Sequence, residues 1–414
     1  MESIHTPAFA TPAEAVRALA PEGPMAIARP HRVKAAAEWF KANLPADIYY
    51  AVKANPSTWA LDALWEAGIR GFDVASEAEV KLVAERFGPE AKLAFMHPVK
   101  SRRAIARAYH DHGVRTFVLD CEQELAKILE ETNGAKDLTL IVRLAVSNDG
   151  ASLPLAAKFG ASPEAAPELL RLARGATEEL MGVSFHVGSQ CMRPVAYTAA
   201  MMEANRAIIR AGVLVDVVDV GGGFPARYPG MEPPPMEAYA REVRDTFERM
   251  FIAQNAQLWA EPGRALVAEA GSIVTRVDLR KGDALYLNDG AYGNLFDATH
   301  VKWPFPVKLL RDGGSRAKTA PFRFYGPTCD SIDAAQGPFE LPADVGEGDY
   351  IEIGMLGAYG VAMSTRFNGF GETLTVASQD APWLSMFGQV EQQVERGTVV
   401  RMADRKRSSK PRRK

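Results

Sequence analysis

The stretch YYAVKANPS, Tyr49 to Ser57, is an apolar, strand-forming run that closes on a lysine, Lys53, directly before a turn. Lysine is disfavoured inside strands and is almost never buried without a partner, so one reading lets Lys53 run from a sheet edge into water. The other reading places Lys53 in a site at the carboxyl end of its strand, where desolvation lowers its pKa until the amine is a nucleophile. The choice depends on what stands at the ends of the other strands.

Short β-rich runs alternate with helical patterns along the first two thirds of the chain, the signal of βα units around a parallel sheet. The runs are IYYAVKA (48–54), GFDVAS (71–76), KLAFMH (92–97), TFVLD (116–120), LTLIVRLA (138–145), MGVSFHVG (181–188), VDVVDVGGG (215–223) and LWAEPG (258–263). Between them lie amphipathic stretches such as SEAEVKLVAERFG, with Ser76 as N-cap and Gly88 as stop, and CEQELAKILEETNG, closed by Gly134. Eight alternations over roughly 240 residues predict a TIM (β/α)8 barrel, whose chemistry sits at the carboxyl ends of its strands. Those ends read Lys53, Asp73, His97, Asp120, Arg143, His186, Gly221 to Gly223, and Glu261, so seven of the eight carry an ionisable side chain. The VGGGFP segment offers backbone N–H groups with no side chain in the way, and EPGR adds Arg264. Together they form a candidate phosphate cradle, although GGG alone is equally a flexible turn.

Past residue 268 the pattern changes to short, alternating, turn-bounded runs such as SIVTRVDLR, DALYLNDG, DYIEIG and ETLTVAS, which predict a mostly antiparallel β domain. Two segments there, GPTCDSID (326–333) and GAYGVAMSTRFNGFG (357–371), are rich in Gly and polar residues and read as functional loops. At 414 residues, 47% hydrophobic and 24% charged, the chain has the make-up of a globular protein long enough for two domains. Three widely spaced cysteines, Cys121, Cys191 and Cys329, form no CxxC pair, which argues against a disulfide framework and against a zinc site, and no metal is expected. The last 14 residues carry eight basic groups and one acid, +7; with −3 for the whole chain, the remaining body is −10. An acidic body favours a cationic small molecule over nucleic acid as partner. No apolar run has the length of a membrane span and the first residues lack a signal core, so the expected location is cytoplasmic.

YAVKAN, FDVASEAEV, VSFHVGSQC, DVGGGFP, AEPGR, GPTCD and GAYGVAMSTRFNGFG occur in the order seen in the fold-type III pyridoxal-phosphate decarboxylases, and the chain resembles that family from about Met25 to Phe387. Within it, GPTCDSID and FDATHVK are most similar to ornithine decarboxylase. The resemblance implies a barrel plus a C-terminal β domain, pyridoxal 5'-phosphate as cofactor, and a homodimer with shared active sites. It makes Lys53 the lysine that carries the cofactor, puts Glu261 at the pyridine nitrogen and stacks His186 on the ring. It gives the phosphate to Ser189, Gly221, Gly222, Gly223, Arg264 and Tyr359, counts Gly263 among the cofactor contacts, and has Asp73 and Arg143 orienting Lys53 and the cofactor. Cys329 and Asp330 match residues that the family donates across the dimer interface, the thiol as proton donor and the carboxylate as the grip on a distal ammonium. Asp297 matches a second acidic contact for that ammonium.

The sequence departs from the ornithine pattern at Phe296, where that group typically has tyrosine, which puts discrimination against lysine in question. The implied reaction is decarboxylation of a basic L-amino acid, L-ornithine to putrescine first, with a dual lysine/ornithine enzyme and diaminopimelate decarboxylase as alternatives. A non-catalytic homologue is disfavoured because Lys53 and Cys329 are both present. The expected domains are an N-terminal segment 1–28 packing on the β domain, the barrel over 29–268, the β domain over 269–400, and a basic disordered tail over 401–414.

Overall fold

The computed structural model describes residues 7–154, 158–301 and 303–388; the basic tail and the last residues assigned to the β domain lie outside them. Eight parallel strands close into a barrel. They are β1 Asp47–Ala51, β2 Gly71–Val74, β3 Lys92–Phe95, β4 Thr116–Leu119, β5 Thr139–Arg143, β6 Met181–Ser184, β7 Val217–Asp219 and β8 Gln257–Ala260, and β8 pairs back onto β1 through Trp259 and Ala260. Each strand is one of the eight predicted runs, but shorter at its carboxyl end. Lys53, His97, Asp120, His186 and Glu261 stand in the turns just beyond, while Asp73 and Arg143 lie within their strands.

The strands are apolar on both faces because both faces are buried. Tyr49, Ala94, Met96, Val118, Ile141, Val217 and Trp259 fill the barrel interior, with the Tyr49 and Trp259 rings 4.5 Å apart. Alternate residues such as Tyr50, Phe72, Phe117, Val183 and Leu258 point outward into the helical layer. The helix Glu77–Phe87 starts as its sequence dictates: Ser76 Oγ accepts from Glu79 N, and the Glu79 carboxylate accepts from Ala75 N in return.

The second domain is a nine-stranded, mostly antiparallel sheet built around the long strand Gly271–Lys281. That strand pairs antiparallel with Met25–Ala28, Ala284–Leu287 and Tyr350–Ile353. The N-terminal segment therefore enters this sheet: Met25–Ala28 is bracketed by Gly271–Lys281 and Leu374–Ser378, and Ala8–Phe9 extends the edge. Among the described residues, no helix is long and apolar enough to cross a membrane.

Where the chain leaves the sheet for the barrel, Arg29 is 1% exposed. Its guanidinium donates to Ser272 Oγ (2.9 Å), Glu352 Oε1 (2.9 Å) and both oxygens of Asp380 (2.8 and 2.9 Å). One side chain thus joins the first barrel helix, Pro30–Asn43, to three segments of the β domain. Truncation leaves the buried Glu352 carboxylate without its cation, and breaking a buried pair costs roughly 3–5 kcal/mol. Arg29→Ala is therefore expected to lower the denaturant midpoint of the full-length protein markedly. Trp383, whose Nε1 donates to Glu352 Oε1 at 3.3 Å, is the fluorescence reporter for this test; an unchanged midpoint would show that the network adds no stability.

Candidate active site

A cavity of about 250 Å³ opens at the carboxyl ends of the barrel strands. Lys53, Arg143, His186, Ser189, Gly222, Gly223, Glu261, Gly263, Arg264 and Tyr359 line it, so sequence-distant residues named for cofactor binding meet at one place. Asp73 and Gly221 stand directly behind this lining. Phe159 and His97 close one side, their rings 5.2 Å apart.

Lys53 lies in a single 3-10 turn, Val52–Ala54, immediately after β1. Its Nζ is 2.6 Å from Asp73 Oδ2 on β2, and Asp73 is 1% exposed. The Lys53 side chain is 43% accessible, but what it faces is the cavity. Burial alone would lower its pKa; Asp73 first and Glu261 next outweigh that and raise it above the usual lysine value. The expectation of a lowered pKa is thus corrected. Desolvation is legible in an apolar strand, but the opposing carboxylate arrives from the next strand. Asp73 pairs with Lys53 and not with Arg143, whose guanidinium sits 5.7 Å from the Phe159 ring.

Glu261 follows β8, and Asp219 ends β7. Burial raises Glu261 well above the carboxylate range, and Asp219 and Asp73 add to the shift; burial also pushes Asp219 up to about 6. Burial thus opposes two negative charges on this pair. Asp219 Oδ1 accepts the Gly221 N–H at 2.8 Å, fixing the start of the glycine turn. Sequence reasoning missed Asp219, although its place two residues before Gly221 was the available signal. A Cβ at Gly221 would meet Phe185 O at 2.1 Å, and one at Gly223 would meet Gly188 O at 2.5 Å. Both residues have positive φ, 67° and 99°. The run of glycines is thus a close-packed corner that no other residue fits, and the flexible-turn reading falls.

His186 stands two residues past β6, its Nδ1 accepting the Gly188 N–H at 2.9 Å, which places the ring proton on Nε2. Burial, with Arg143 and Lys53 adding positive charge, lowers its pKa to about 3. Ser189 is held by an antiparallel pairing with Leu153 that the sequence did not reveal, and its Oγ is 3.5 Å from Arg264 Nε. Arg264 is buried, with Nη1 donating to Tyr228 OH (2.7 Å) and to Asp297 Oδ2 (2.6 Å). The structure thus gives Asp297 a partner other than the one implied. Its carboxylate is 5% exposed and neutralised by Arg264, and is not open to a substrate. Tyr359, held at φ 55° with its N–H on Ala54 O at 2.9 Å, stacks over Arg264.

Cys329, Asp330 and Phe296 do not line the cavity. Cys329 is exposed on the β domain, Asp330 Oδ2 accepts from Tyr292 OH at 2.6 Å, and Phe296 stacks on His300 with centroids 4.2 Å apart. The Tyr292 contact joins segments 38 residues apart and left no mark in the local sequence. Asp120, named above only as a strand end, accepts the Gly160 N–H at 2.9 Å and anchors the segment carrying Phe159. Among the described residues, no cluster of His, Cys, Asp and Glu side chains is suited to a metal ion.

The lining fits a pyridoxal phosphate on two grounds. Asp73 Oδ1 and Glu261 Oε1 are buried polar atoms without a hydrogen-bond partner, and a buried carboxyl oxygen left so calls for a donor such as a protonated ring nitrogen. The cations Lys53, Arg143, Lys158 and Arg264 line the same cavity and suit a phosphate.

Residues 30–268 match the family model described as pyridoxal-dependent decarboxylase, pyridoxal binding domain. The lysine/ornithine decarboxylase of Selenomonas ruminantium is 32% identical over 367 residues, covering 87% of this chain and 90% of that protein. The ornithine decarboxylase of Caenorhabditis elegans is 34% identical, with 80% of this chain and 82% of that protein covered. Among solved structures, the arginine decarboxylase of Paramecium bursaria Chlorella virus bound to agmatine superposes with a TM-score of 0.80 at 27% identity, covering 88% of this chain and 98% of that one.

The state of His186 is directly measurable. An unfolded histidine takes up its proton near pH 6.5, whereas the folded chain refuses it until about 3. Between those values the unfolded state binds more protons, so this residue costs stability as pH falls through the window, at most ~1.4 kcal/mol per pH unit. The His186 ring resonances should stay fixed from pH 8 to pH 5, and His186→Asn, which keeps an acceptor for Gly188 N–H, should be less destabilised by acid than the wild type. Titration of His186 near pH 6.5 would contradict this account.

Proposed function

The chain belongs to the pyridoxal-dependent decarboxylase family and is a pyridoxal-phosphate-dependent amino-acid decarboxylase, and from that premise we propose that its substrate is L-ornithine, its product putrescine, and its working form a cytoplasmic homodimer with shared active sites. The observation that carries the substrate reading is Asp330, an acid on a loop whose carboxylate has a hydrogen bond from Tyr292 but no cation within ion-pair distance among the described residues. Asp297 is already paired with Arg264, so it would add only longer-range attraction. Ornithine, lysine and arginine, the amino acids for which similar proteins are named, each have a cationic side chain, and Phe296 cannot offer the hydrogen bond a tyrosine would. We therefore expect looser rejection of lysine than in a strict ornithine enzyme.

The cofactor supplies the electron sink for the pair released when CO2 leaves. Lys53 would hold it covalently, and Asp73, 2.6 Å from Nζ, is the group that takes or returns a proton at that amine. Glu261 would keep a proton on the ring nitrogen, where its unpaired Oε1 is available. His186, neutral across the physiological range, can lie against the ring without adding a positive charge that would oppose that proton. Ser189, Arg264, Tyr359 and the N–H groups of Gly222 and Gly223 would hold the phosphate, with Gly221, its N–H taken by Asp219, shaping the corner and Gly263 allowing the close approach of Arg264's turn to β1, since a Cβ there would meet Ala51 and Ala54 at 3.1 Å. Arg143 would orient the ring side.

Cys329 would then donate its proton to the carbon that has lost CO2, in the site of a second copy. The support is geometric: Cys329 and Asp330 lie outside this chain's cavity, on loops with exposed apolar side chains, Ile332 (61%), Phe367 (41%) and Phe370 (43%). Such a surface suits an interface. Lys53→Ala and Cys329→Ala homodimers should each be nearly inactive, while their random mixture should recover roughly one quarter of wild-type activity through one intact site per heterodimer. No recovery after demonstrated subunit exchange would place both residues in the same chain's site.

The substrate reading is tested by kcat/KM for ornithine, lysine, arginine and diaminopimelate in wild type and Asp330→Ala. A hydrogen bond to a charged group is worth about 1.5–3 kcal/mol, so the substitution should lower the ornithine value roughly 10- to 150-fold and leave cofactor affinity unchanged. Diaminopimelate as best substrate, or an ornithine value indifferent to Asp330→Ala, would overturn the assignment.

A further inference from the structure

Asn368 lies in the second polar loop of the β domain at φ 54°, a left-handed conformation that asparagine tolerates better than most residues. Its Oδ1 is 3.2 Å from the Cys329 backbone N and 3.3 Å from Cys329 Sγ. Since the backbone N–H can only donate, the facing atom of Asn368 is the amide oxygen, and a thiol meeting that oxygen must donate its S–H. The loop is braced on its other side: Thr365 N and Oγ1 both donate to Tyr292 O, at 2.8 and 2.9 Å, and the Phe367 and Tyr292 rings are 4.7 Å apart. Tyr292 is also the residue that holds Asp330. The thiol and the carboxylate are thus set on one platform by two separate residues.

We propose that Asn368 is a positioning residue that fixes the Cys329 side-chain rotamer by accepting its S–H, so that the loop presents the thiol proton in one orientation. A hydrogen bond accepted from the neutral form of a group favours that form. This rests on the reading of Cys329 as proton donor: the S–H bond breaks as a C–H bond forms at the decarboxylated carbon, and water later reprotonates the thiolate. A thiolate at rest would have no proton to give.

The test follows alkylation of Cys329 in the full-length holoenzyme by iodoacetamide between pH 6 and 9, quantified on its peptide, with buried Cys191 as internal reference. Asn368→Gly removes the amide and Asn368→Asp replaces it by a charged acceptor; both residue types accept a left-handed backbone. Relative to wild type, Asn368→Gly should react faster at pH 7 by roughly two- to tenfold, the range of one hydrogen bond. Asn368→Asp should react more slowly by at least as much, because a nearby carboxylate opposes the thiolate. Opposite signs are the signature, since a loop merely loosened by either change would shift both variants the same way. Equal rates in all three proteins, or a shift of the same sign in both variants, would overturn the assignment. The thiol readout needs no turnover, so it is separable from the proton-donor reading, which fails independently if Cys329→Ala retains kcat.

Discussion

One ammonium, Lys53, stands against three buried carboxyl groups, Asp73, Asp219 and Glu261, at the mouth of the barrel. Four ionisable groups are not easily all charged in so little water, so Lys53 is favoured as a cation while burial opposes ionisation of both Glu261 and Asp219. The excess of acid over base is what makes the site receptive to a cationic ring nitrogen. His186 is neutral for a different reason: burial opposes its charge, and it would be a third cation beside Arg143 and Lys53.

This electrostatic arrangement needs its members held at fixed distances, and the backbone supplies them. The glycine corner can approach Phe185 O and Gly188 O only without side chains, and the Asp219 carboxylate locks the corner by accepting the Gly221 N–H. Asp73 and Lys53 are fixed by the pairing of adjacent strands, Ala51 opposite Asp73. Rigid strands set the charges, while the short turns that follow them aim the side chains.

The barrel and most of the cavity lining were legible because both depend on local pattern: apolar runs of strand length, and ionisable residues at or just beyond the ends of most of them. The overshoot at the strand ends has the same cause, for Lys53, His97 and His186 continue the apolar rhythm although the chain has already turned. What stayed hidden depends on partners far along the chain. Nothing near Asp297 announces Arg264, 33 residues earlier, and nothing near Cys329 announces Asn368, 39 residues later. The direction of the Lys53 shift was lost for the same reason, since desolvation is a local property and the compensating carboxylate is not.

Those long-range contacts also tie the two domains to one another at the site itself. The turn bearing Lys53 is gripped from the β domain, with Asn55 Nδ2 donating to Gly357 O at 2.8 Å and Tyr359 N donating to Ala54 O at 2.9 Å. A Cβ at Gly357 would lie 1.8 Å from Val267 O, so only glycine permits this seam to close. On the opposite side, the pair Arg264–Asp297 joins the barrel's last strand turn to the segment Phe296–His300 of the β domain. The lysine turn and the candidate phosphate arginine are therefore each half-built by the second domain. A barrel alone would have the strands and the glycine corner, but neither the clamp on the Lys53 turn nor the counter-charge on Arg264. The cavity is thus a product of domain docking as much as of the barrel.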